Sequence, residues 1–181
     1  MTTRFNVTTS YEVTENVTPP KADGLRVREA TEADVPLIHA MLLELAKATK
    51  SVDDILSTPE DLAREGFGTS PAFDALIAEM SGQPVGLALY FQEFSSWRGR
   101  RGIYLQDLFV SPEQRGEGIG RILIQELAVR AVEEGATYLR LAVDSNNGGA
   151  AAFYRKLGFI YREERLFDLS GVAFENFLPA P

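Results

Sequence analysis

The sequence of 181 residues contains no cysteine and a single histidine. Without thiols the chain can form neither disulfides, nor a cysteine nucleophile, nor thiolate metal sites, and one imidazole is too little for a zinc cluster. We therefore predict no metal site. Any catalysis has to use oxygen-containing side chains and the backbone.

Long apolar runs and positive charge are also scarce. No segment approaches the roughly 20 apolar residues that a membrane span needs, and the start lacks the apolar stretch of a signal peptide. We expect no membrane contact and a cytoplasmic location. Lysine and arginine number 18 against 26 acidic residues, a net charge of -8. This balance argues against a nucleic-acid partner and mildly favours a cationic small molecule.

What the chain does contain is enough apolar sequence for one globular core, with 45% hydrophobic residues. Residues 1–24 are rich in threonine, valine and asparagine and include Pro19-Pro20, which is typical of an N-terminal extension. Residues 25–181 are predicted to form a single domain.

Hydrophobic periodicity predicts a mixed α/β fold. Helices are expected from residue 31, with His39 facing solvent, from Thr58 to Gly66, from Ile119 to Gly135, and over 150–157. Residues 81–84 are expected to form a hairpin turn. The predicted strands are 25–29, 74–80, 85–94, 103–110, 138–143 and 159–169.

The most informative segment is a glycine-rich loop that follows a strand and precedes an amphipathic helix. It reads Arg115-Gly116-Glu117-Gly118-Ile119-Gly120-Arg121. Its glycines let successive backbone amides converge on an anion, and the helix start adds its positive dipole end. Arginine suits phosphate oxygens, so a pyrophosphate is the expected ligand. On spacing alone, a glycine-rich turn entering an ordinary helix explains the pattern as well.

Two other nucleotide-binding folds fit less well. A dinucleotide-binding fold places such a loop in its first strand-helix unit, with an acidic residue about 20 residues later on a strand. In this chain the loop follows several strands, and Glu133 and Glu134 end a helix. A nucleoside-triphosphate loop needs Gly-Lys followed by Ser or Thr, whereas residues 120–122 are Gly-Arg-Ile.

Together with Asn147 and the segment Phe153-Tyr154-x-x-Leu157-Gly158-Phe159, the loop resembles the acetyl-CoA site of the GNAT superfamily of N-acetyltransferases. The likeness extends through the segments 44–47, 60–62, 66–68, 97–99 and 104–110. It covers about 25–169 and is greatest to the spermidine/spermine (diamine) acetyltransferase branch. The resemblance implies an α/β (α+β) fold, with a mixed sheet of six to seven strands, about four helices, and strands splayed at the cofactor. It also implies an acetyl-CoA-dependent N-acetyltransferase that releases coenzyme A.

The resemblance assigns roles to the backbone. The strand at 108–110 would pair with the pantetheine arm, and a bulge would aim the Leu108 amide at the thioester carbonyl. Residues 116–121 would hold the pyrophosphate, and 147–150 would contact the pantetheine or adenylate half, although Asn147 could equally cap a helix. The expected cofactor-binding residues are Leu108, Phe109, Val110, Arg115, Gly116, Glu117, Gly118, Ile119, Gly120, Arg121, Asn147, Gly148, Gly149, Ala150 and Tyr154.

Three catalytic residues follow from the resemblance: Tyr154, Asp107 and Leu108. Tyr154 aligns with the general acid, and a phenol with a pKa of about 10 can protonate a leaving thiolate. A tyrosine that only packs the core is the alternative. Asp107 would deprotonate the amine or anchor it as a cation, and a strand-end aspartate making a turn is its alternative. Strict alternation puts Gln106 and Asp107, both expected at the acceptor, on opposite faces unless a bulge intervenes.

The acceptor pocket departs from the diamine branch. Gln106 stands where that branch has an acidic residue, and Ala48-Thr49 replaces an aromatic-acidic pair, although Asp53 and Asp54 could supply charge. We expect a small cationic primary amine, either diamine-like or polyamine-like or else lysine-like, and attack in a ternary complex because no cysteine can form an acyl-enzyme. A protein amine as acceptor and a non-catalytic acyl-CoA sensor or scaffold remain alternatives. Family members commonly dimerise, so a homodimer is expected through the apolar residues 172–174 and 177–178. Packing of these residues within the chain, for example against the N-terminal extension, is the alternative.

Overall fold

A computed structural model describes residues 24–163 and 167–177. The chain divides after Ala142 into two compact units. The predicted N-terminal extension lies outside the described residues except for Gly24.

The first unit is a twisted sheet with helices on both faces. Its strands lie in the order β1-β2-β3-β4-β5; all neighbours are antiparallel except β4 and β5, which are parallel. The elements are β1 (Leu25–Glu29), α1 (Val35–Thr49), α2 (Pro59–Phe67), β2 (Asp74–Met80), β3 (Gln83–Ser95), β4 (Arg100–Val110), α3 (Ile119–Glu133) and β5 (Ala136–Arg140). This confirms the predicted α/β class.

Helix α2 begins where the sequence predicts. The Thr58 hydroxyl accepts a hydrogen bond from the Asp61 amide at 3.2 Å, and the Asp61 carboxylate accepts one from the Thr58 amide at 3.0 Å. This reciprocal pair satisfies amides that have no partner inside the helix. The helix ends at Phe67, one residue past the predicted end at Gly66. A Cβ at Gly66 would lie 2.4 Å from the Phe73 ring. Ring packing therefore explains that glycine.

The hairpin between β2 and β3 is also confirmed. Its two turn residues, Ser81 and Gly82, both have positive φ, at 50° and 78°. Such turns match the right-handed twist of paired strands.

Two apolar layers cover the sheet. On one face, α1 and α2 bury residues such as Ile38, Ile77 and Leu87. On the other face, α3 packs closely over Gly86, where a Cβ would lie 3.0 Å from Leu123 and 3.3 Å from Ile119. This close approach holds the first turn of α3 against the sheet beside the end of β4.

Several predictions in the first unit need correction. Strand β4 begins at Arg100 rather than at 103, and β3 begins at Gln83 rather than at 85. The half-buried ring of His39 lies 3.0 Å from the Ser57 carbonyl oxygen, so it is not simply solvated but joins α1 to the segment before α2. Strand β5 starts two residues before the predicted residue 138, because Gly135, with φ of 78°, turns the chain directly from α3 into the sheet. It ends at Arg140 rather than at 143, because its pairing with β4 stops there.

The second unit contains α4 (Gly148–Lys156) and α5 (Gly171–Phe177). The predicted strand over 159–169 is not found among its described residues, and Ile160, Tyr161 and Phe167 are exposed. A strand needs a partner edge for its backbone hydrogen bonds, and the described part of this unit offers none. The described sheet therefore has five strands rather than six to seven. Among the described residues, no helix has the length and hydrophobicity that a membrane span requires.

Candidate active site

Strand β4 carries a β-bulge at Gln106. Asp107 lies opposite Leu89 on β3, whereas Leu105 lies opposite the next residue, Tyr90, so Gln106 has no partner. The bulge that the resemblance implies is therefore present, one residue before Asp107. It places Asp107 on the face of Leu89, which belongs to the core under α1 and α2, while Gln106 is exposed.

The same strand is splayed from its neighbour. Strand β5 pairs with β4 only between Arg101 and Tyr104. Residues 105–110 consequently have β3 on one side and an edge with no paired strand on the other, within the described residues. An open edge presents backbone donors and acceptors to an extended ligand. Leu108, Phe109 and Val110 all lie on it.

Asp107 is a half-buried carboxylate beside this edge. It has no hydrogen-bond or ion-pair partner in the part of the chain that the structure describes, and burial raises its pKa. A raised pKa makes a carboxylate a stronger base than an exposed aspartate. The group is suited to accept a proton from a bound ammonium or to anchor one.

The glycine-rich loop joins the end of β4 to α3. The Arg115 side chain donates from Nε to the Val110 carbonyl at 3.1 Å, which ties the loop to the strand end. Gly116 and Gly118 have φ of 90° and 87°. Space around Gly116 is open, since a Cβ would meet nothing within 4 Å. The backbone conformation, rather than crowding, is therefore what demands glycine there.

The first turn of α3 contains a donor without a partner. Arg121 Nε is buried and makes no hydrogen bond among the described residues. Buried donors are normally satisfied, so this one fits an anion bound at the helix start. Glu117 is exposed and Ile119 is buried, which leaves the backbone of the loop as the remaining anion-binding surface. The loop, the open edge and Arg121 together fit the pyrophosphate and pantetheine of coenzyme A.

The remaining predicted residues lie in the second unit. The Asn147 side chain accepts a hydrogen bond from the Ala150 amide at 3.0 Å, so it caps α4. Helix capping was the alternative to cofactor contact that the sequence left open for this residue. The helix starts at Gly148, two residues before the predicted start, and Gly148 and Gly149 are exposed. Their contact with a cofactor stays a prediction.

Tyr154 lies on α4 within an aromatic group. Its ring is 5.1 Å from that of Phe153 and 5.5 Å from that of Phe159, in edge-to-face arrangements. Such packing orients a ring without determining what its hydroxyl does. The general-acid role of Tyr154 stays a prediction.

Sequence reasoning missed Gly86, which lets the start of α3 approach the sheet. A glycine inside an otherwise apolar strand is the signal that could have found it, because glycine in a strand often marks a close approach of another element. The loop, the bulge and Asp107 are all found in the first unit.

Comparisons with known proteins agree with this geometry. Residues 40–159 match the Acetyltransferase (GNAT) family. Thialysine N-epsilon-acetyltransferase from Bos taurus is 39% identical over 140 residues, which cover 73% of this chain and 82% of the relative. Streptothricin acetyltransferase from Streptomyces lavendulae is 34% identical over 157 residues, covering 87% of this chain and 71% of the relative.

Solved structures show the same fold. An integron cassette protein from V. cholerae superposes with a TM-score of 0.70 at 24% identity, covering 84% of this chain and 96% of the other. An aminoglycoside acetyltransferase from an uncultured soil metagenomic sample gives 0.67 at 25% identity, covering 81% and 98%. The chain belongs to the GNAT family and is an N-acetyltransferase that acts on an amine.

Proposed function

We propose that the protein transfers an acetyl group from acetyl-CoA to the primary amine of a small cationic acceptor, either diamine-like or lysine-like, by direct attack in a ternary complex. The observation that carries the proposal is the open edge of β4 over residues 105–110. It begins at the bulge beside Asp107 and ends at the glycine-rich loop. A cofactor arm laid along this edge would run from the acceptor carboxylate to the anion-binding loop.

Each part of this surface has its own task. The loop amides of 116–121, the N-terminus of α3 and Arg121 hold the pyrophosphate. The backbone of Leu108, Phe109 and Val110 pairs with the pantetheine amides, as a peptide pairs with a sheet edge. When bound, acetyl-CoA supplies an acetyl group on a thioester. The Leu108 amide donates to the oxygen on which negative charge grows during attack.

Asp107 binds the acceptor's ammonium group and accepts its proton. An alkylamine has a pKa of about 10.4 and arrives as an ammonium ion that cannot attack. The half-buried carboxylate attracts this cation and, because burial raises its pKa, takes up the proton more readily than an exposed aspartate. The net charge of -8 favours the approach of a cation. The amines in the names of relatives, thialysine and L-ornithine, belong to this class.

Tyr154 supplies the proton that the leaving thiolate needs. As the amine nitrogen bonds to the carbonyl carbon, the carbon-sulfur bond would break and the phenol proton would pass to sulfur; the second proton lost by the nitrogen would restore the phenol. Because the chain has no cysteine, no thiol carries the acetyl group in between. Initial-rate kinetics should give intersecting lines, and parallel lines would contradict the ternary complex.

The test is release of free coenzyme A from acetyl-CoA with diamines, polyamines and basic amino acids as acceptors. Tyr154→Phe should lower kcat at least about 100-fold, as loss of a general acid does. Tyr161→Phe is the matched control, because Tyr161 is an exposed tyrosine of the same unit. Binding of acetyl-CoA without release by any amine would overturn the proposed activity.

We also propose a cytoplasmic homodimer. The location rests on the lack of cysteine, since disulfides are typical of oxidising compartments. The dimer rests on the exposed apolar residues Val172, Phe174 and Phe177 of α5; Leu178, named with them, lies outside the described residues. A monomer mass by light scattering at assay concentration would contradict the dimer.

A further inference from the structure

A second group of polar side chains lies at the paired end of β4. The Tyr138 ring on β5 packs against Gly102, where a Cβ would be 2.2 Å from its Cζ atom. Two guanidinium groups flank this ring, Arg98 at 4.7 Å and Arg140 at 5.8 Å from its centroid. The Glu93 carboxylate is 3.5 Å from Arg140 Nη1. We name Glu93, Arg98, Tyr138 and Arg140 the Tyr138 cluster.

Two polar atoms of the Tyr138 cluster are buried without a hydrogen bond among the described residues. They are Oε1 of Glu93 and the hydroxyl of Tyr138. Burial and then the nearby Glu93 carboxylate raise the pKa of Tyr138, but the two groups lie outside hydrogen-bonding geometry. Arg140 is only loosely paired and keeps 41% of its side chain exposed. Buried polar atoms are normally satisfied, so the cluster has unused capacity for a ligand that brings both donors and acceptors.

The Tyr138 cluster lies on the same face of the sheet as Asp107. Asp107 is opposite Leu89, and Tyr104 is opposite Phe91, two residues further along β3. Because side chains alternate, these positions share a face, and the rings of Tyr104 and Phe91 stack at 5.1 Å. Glu93, two residues beyond Phe91, continues the same row.

The register also sets the separation. Two residues of strand place Tyr104 about 7 Å from Asp107, and one strand spacing of about 5 Å leads from Tyr104 to its partner on β5, Arg140. The Cα atoms of Asp107 and Arg140 are therefore about 8–9 Å apart. In a regular ladder that retained Gln106, Asp107 would lie three residues from Tyr104 and therefore on the opposite face. An extended ligand side chain of lysine length is slightly shorter than this separation. The side chains of Asp107 and Arg140 span the remaining distance.

We propose that the Tyr138 cluster binds the α-amino-acid head group of the acceptor while Asp107 receives its side-chain amine. Arg140 and Arg98 bind the α-carboxylate, the Tyr138 hydroxyl donates to it, and Glu93 accepts from the α-ammonium. This inference rests on the proposed function and decides between its two acceptor classes. A diamine would bring a second cation against two guanidinium groups and one carboxylate, which is unfavourable, whereas a zwitterionic head group meets both signs of charge.

The test compares thialysine with its decarboxylated diamine, which has the same length and the same reacting amine. The wild type should have the higher kcat/KM for thialysine, by about tenfold or more, as expected for charge-assisted hydrogen bonds to a carboxylate. Arg140→Gln should remove this preference by raising KM for thialysine while leaving KM for acetyl-CoA unchanged. Arg26→Gln, an exposed arginine on β1 at the opposite edge of the sheet, is the matched control.

Glu93→Gln separates the two halves of the head group. It should lower kcat/KM for thialysine but not for N-α-acetyl-thialysine, which has no α-ammonium. Equal kcat/KM for thialysine and the diamine in the wild type, or equal losses for both in Arg140→Gln, would overturn the inference while leaving amine acetylation intact. Calorimetric titration of thialysine into the protein in the presence of coenzyme A tests the opposite case, in which the head-group site exists but the proposed function is wrong. Binding that depends on Arg140 without any turnover would support the head-group site and overturn the proposed function.

Discussion

The two halves of β4 differ in what lies beside them. Residues 101–104 lie between β3 and β5, whereas residues 105–110 have β3 alone beside them. The paired half has the stacked rings and the Tyr138 cluster beside it, and the open half carries Asp107 and the unpaired edge. One strand therefore has a half paired on both sides, where we propose that the acceptor binds, and a half with a free backbone edge, which we propose for the cofactor. The change occurs at the Gln106 bulge and at the end of β5.

The largest expected effect comes from removing the carboxylate of the open half. Asp107→Asn should lower kcat/KM by about 10²–10⁴-fold, as expected for loss of a general base.

The same variant should be more stable than the wild type at neutral pH. Burial raises the pKa of Asp107, so its contribution to stability is present when it is protonated at low pH and is lost as the pH rises through the raised pKa.

Thermal melts across pH check this sign. The difference in Tm between Asp107→Asn and wild type should be largest at neutral pH and shrink as the pH falls through the raised pKa of Asp107. A variant that is less stable at neutral pH would mean that the carboxylate has a stabilising partner.

The second prediction concerns the bulge that separates the two halves of β4. Deletion of Gln106 leaves Leu105 opposite Tyr90 and Asp107 opposite Leu89 in an unbroken ladder. The protein should fold with an unchanged or higher Tm, but kcat should fall about 10²–10³-fold because the Leu108 amide is no longer aimed at the reacting oxygen. Gln106→Ala keeps the bulge and should retain most of the activity. Full activity after the deletion would show that the bulge has no catalytic role.

The smallest effect is expected at the far end of the open half. Gly116→Ala forces a side chain into positive φ, which costs about 1–2 kcal/mol, and should raise the Kd for coenzyme A up to about tenfold. Gly135→Ala is matched in conformation, with φ of 78° and no atom within 4 Å of an added Cβ. It should lose similar stability with no change in Kd. Equal Kd values for the two variants would remove the loop from the cofactor site.

Much of the fold was predictable because it rests on local signals. The capping box at Thr58, the hairpin at Ser81-Gly82 and the apolar periods of the helices act within a few residues, so they can be recognised in the sequence. The misses involve partners distant in sequence. His39 contacts a carbonyl 18 residues away. The apolar residues at both ends of 159–169 predict a strand, but a strand forms only where another edge accepts its hydrogen bonds.

The candidate site divides in the same way. The sequence by itself determined the glycine-rich loop at the start of a helix, because glycine conformation and the helix dipole are local effects. The family resemblance, also read from the sequence, singled out Asp107, Leu108 and Tyr154. Only the tertiary structure decided that Gln106 is the bulged residue and that Asp107 shares a face with Arg140. Register and strand splay arise from pairing among β3, β4 and β5, whose residues are far apart in the chain. Local preferences cannot encode that pairing, because it is selected by packing across the whole sheet.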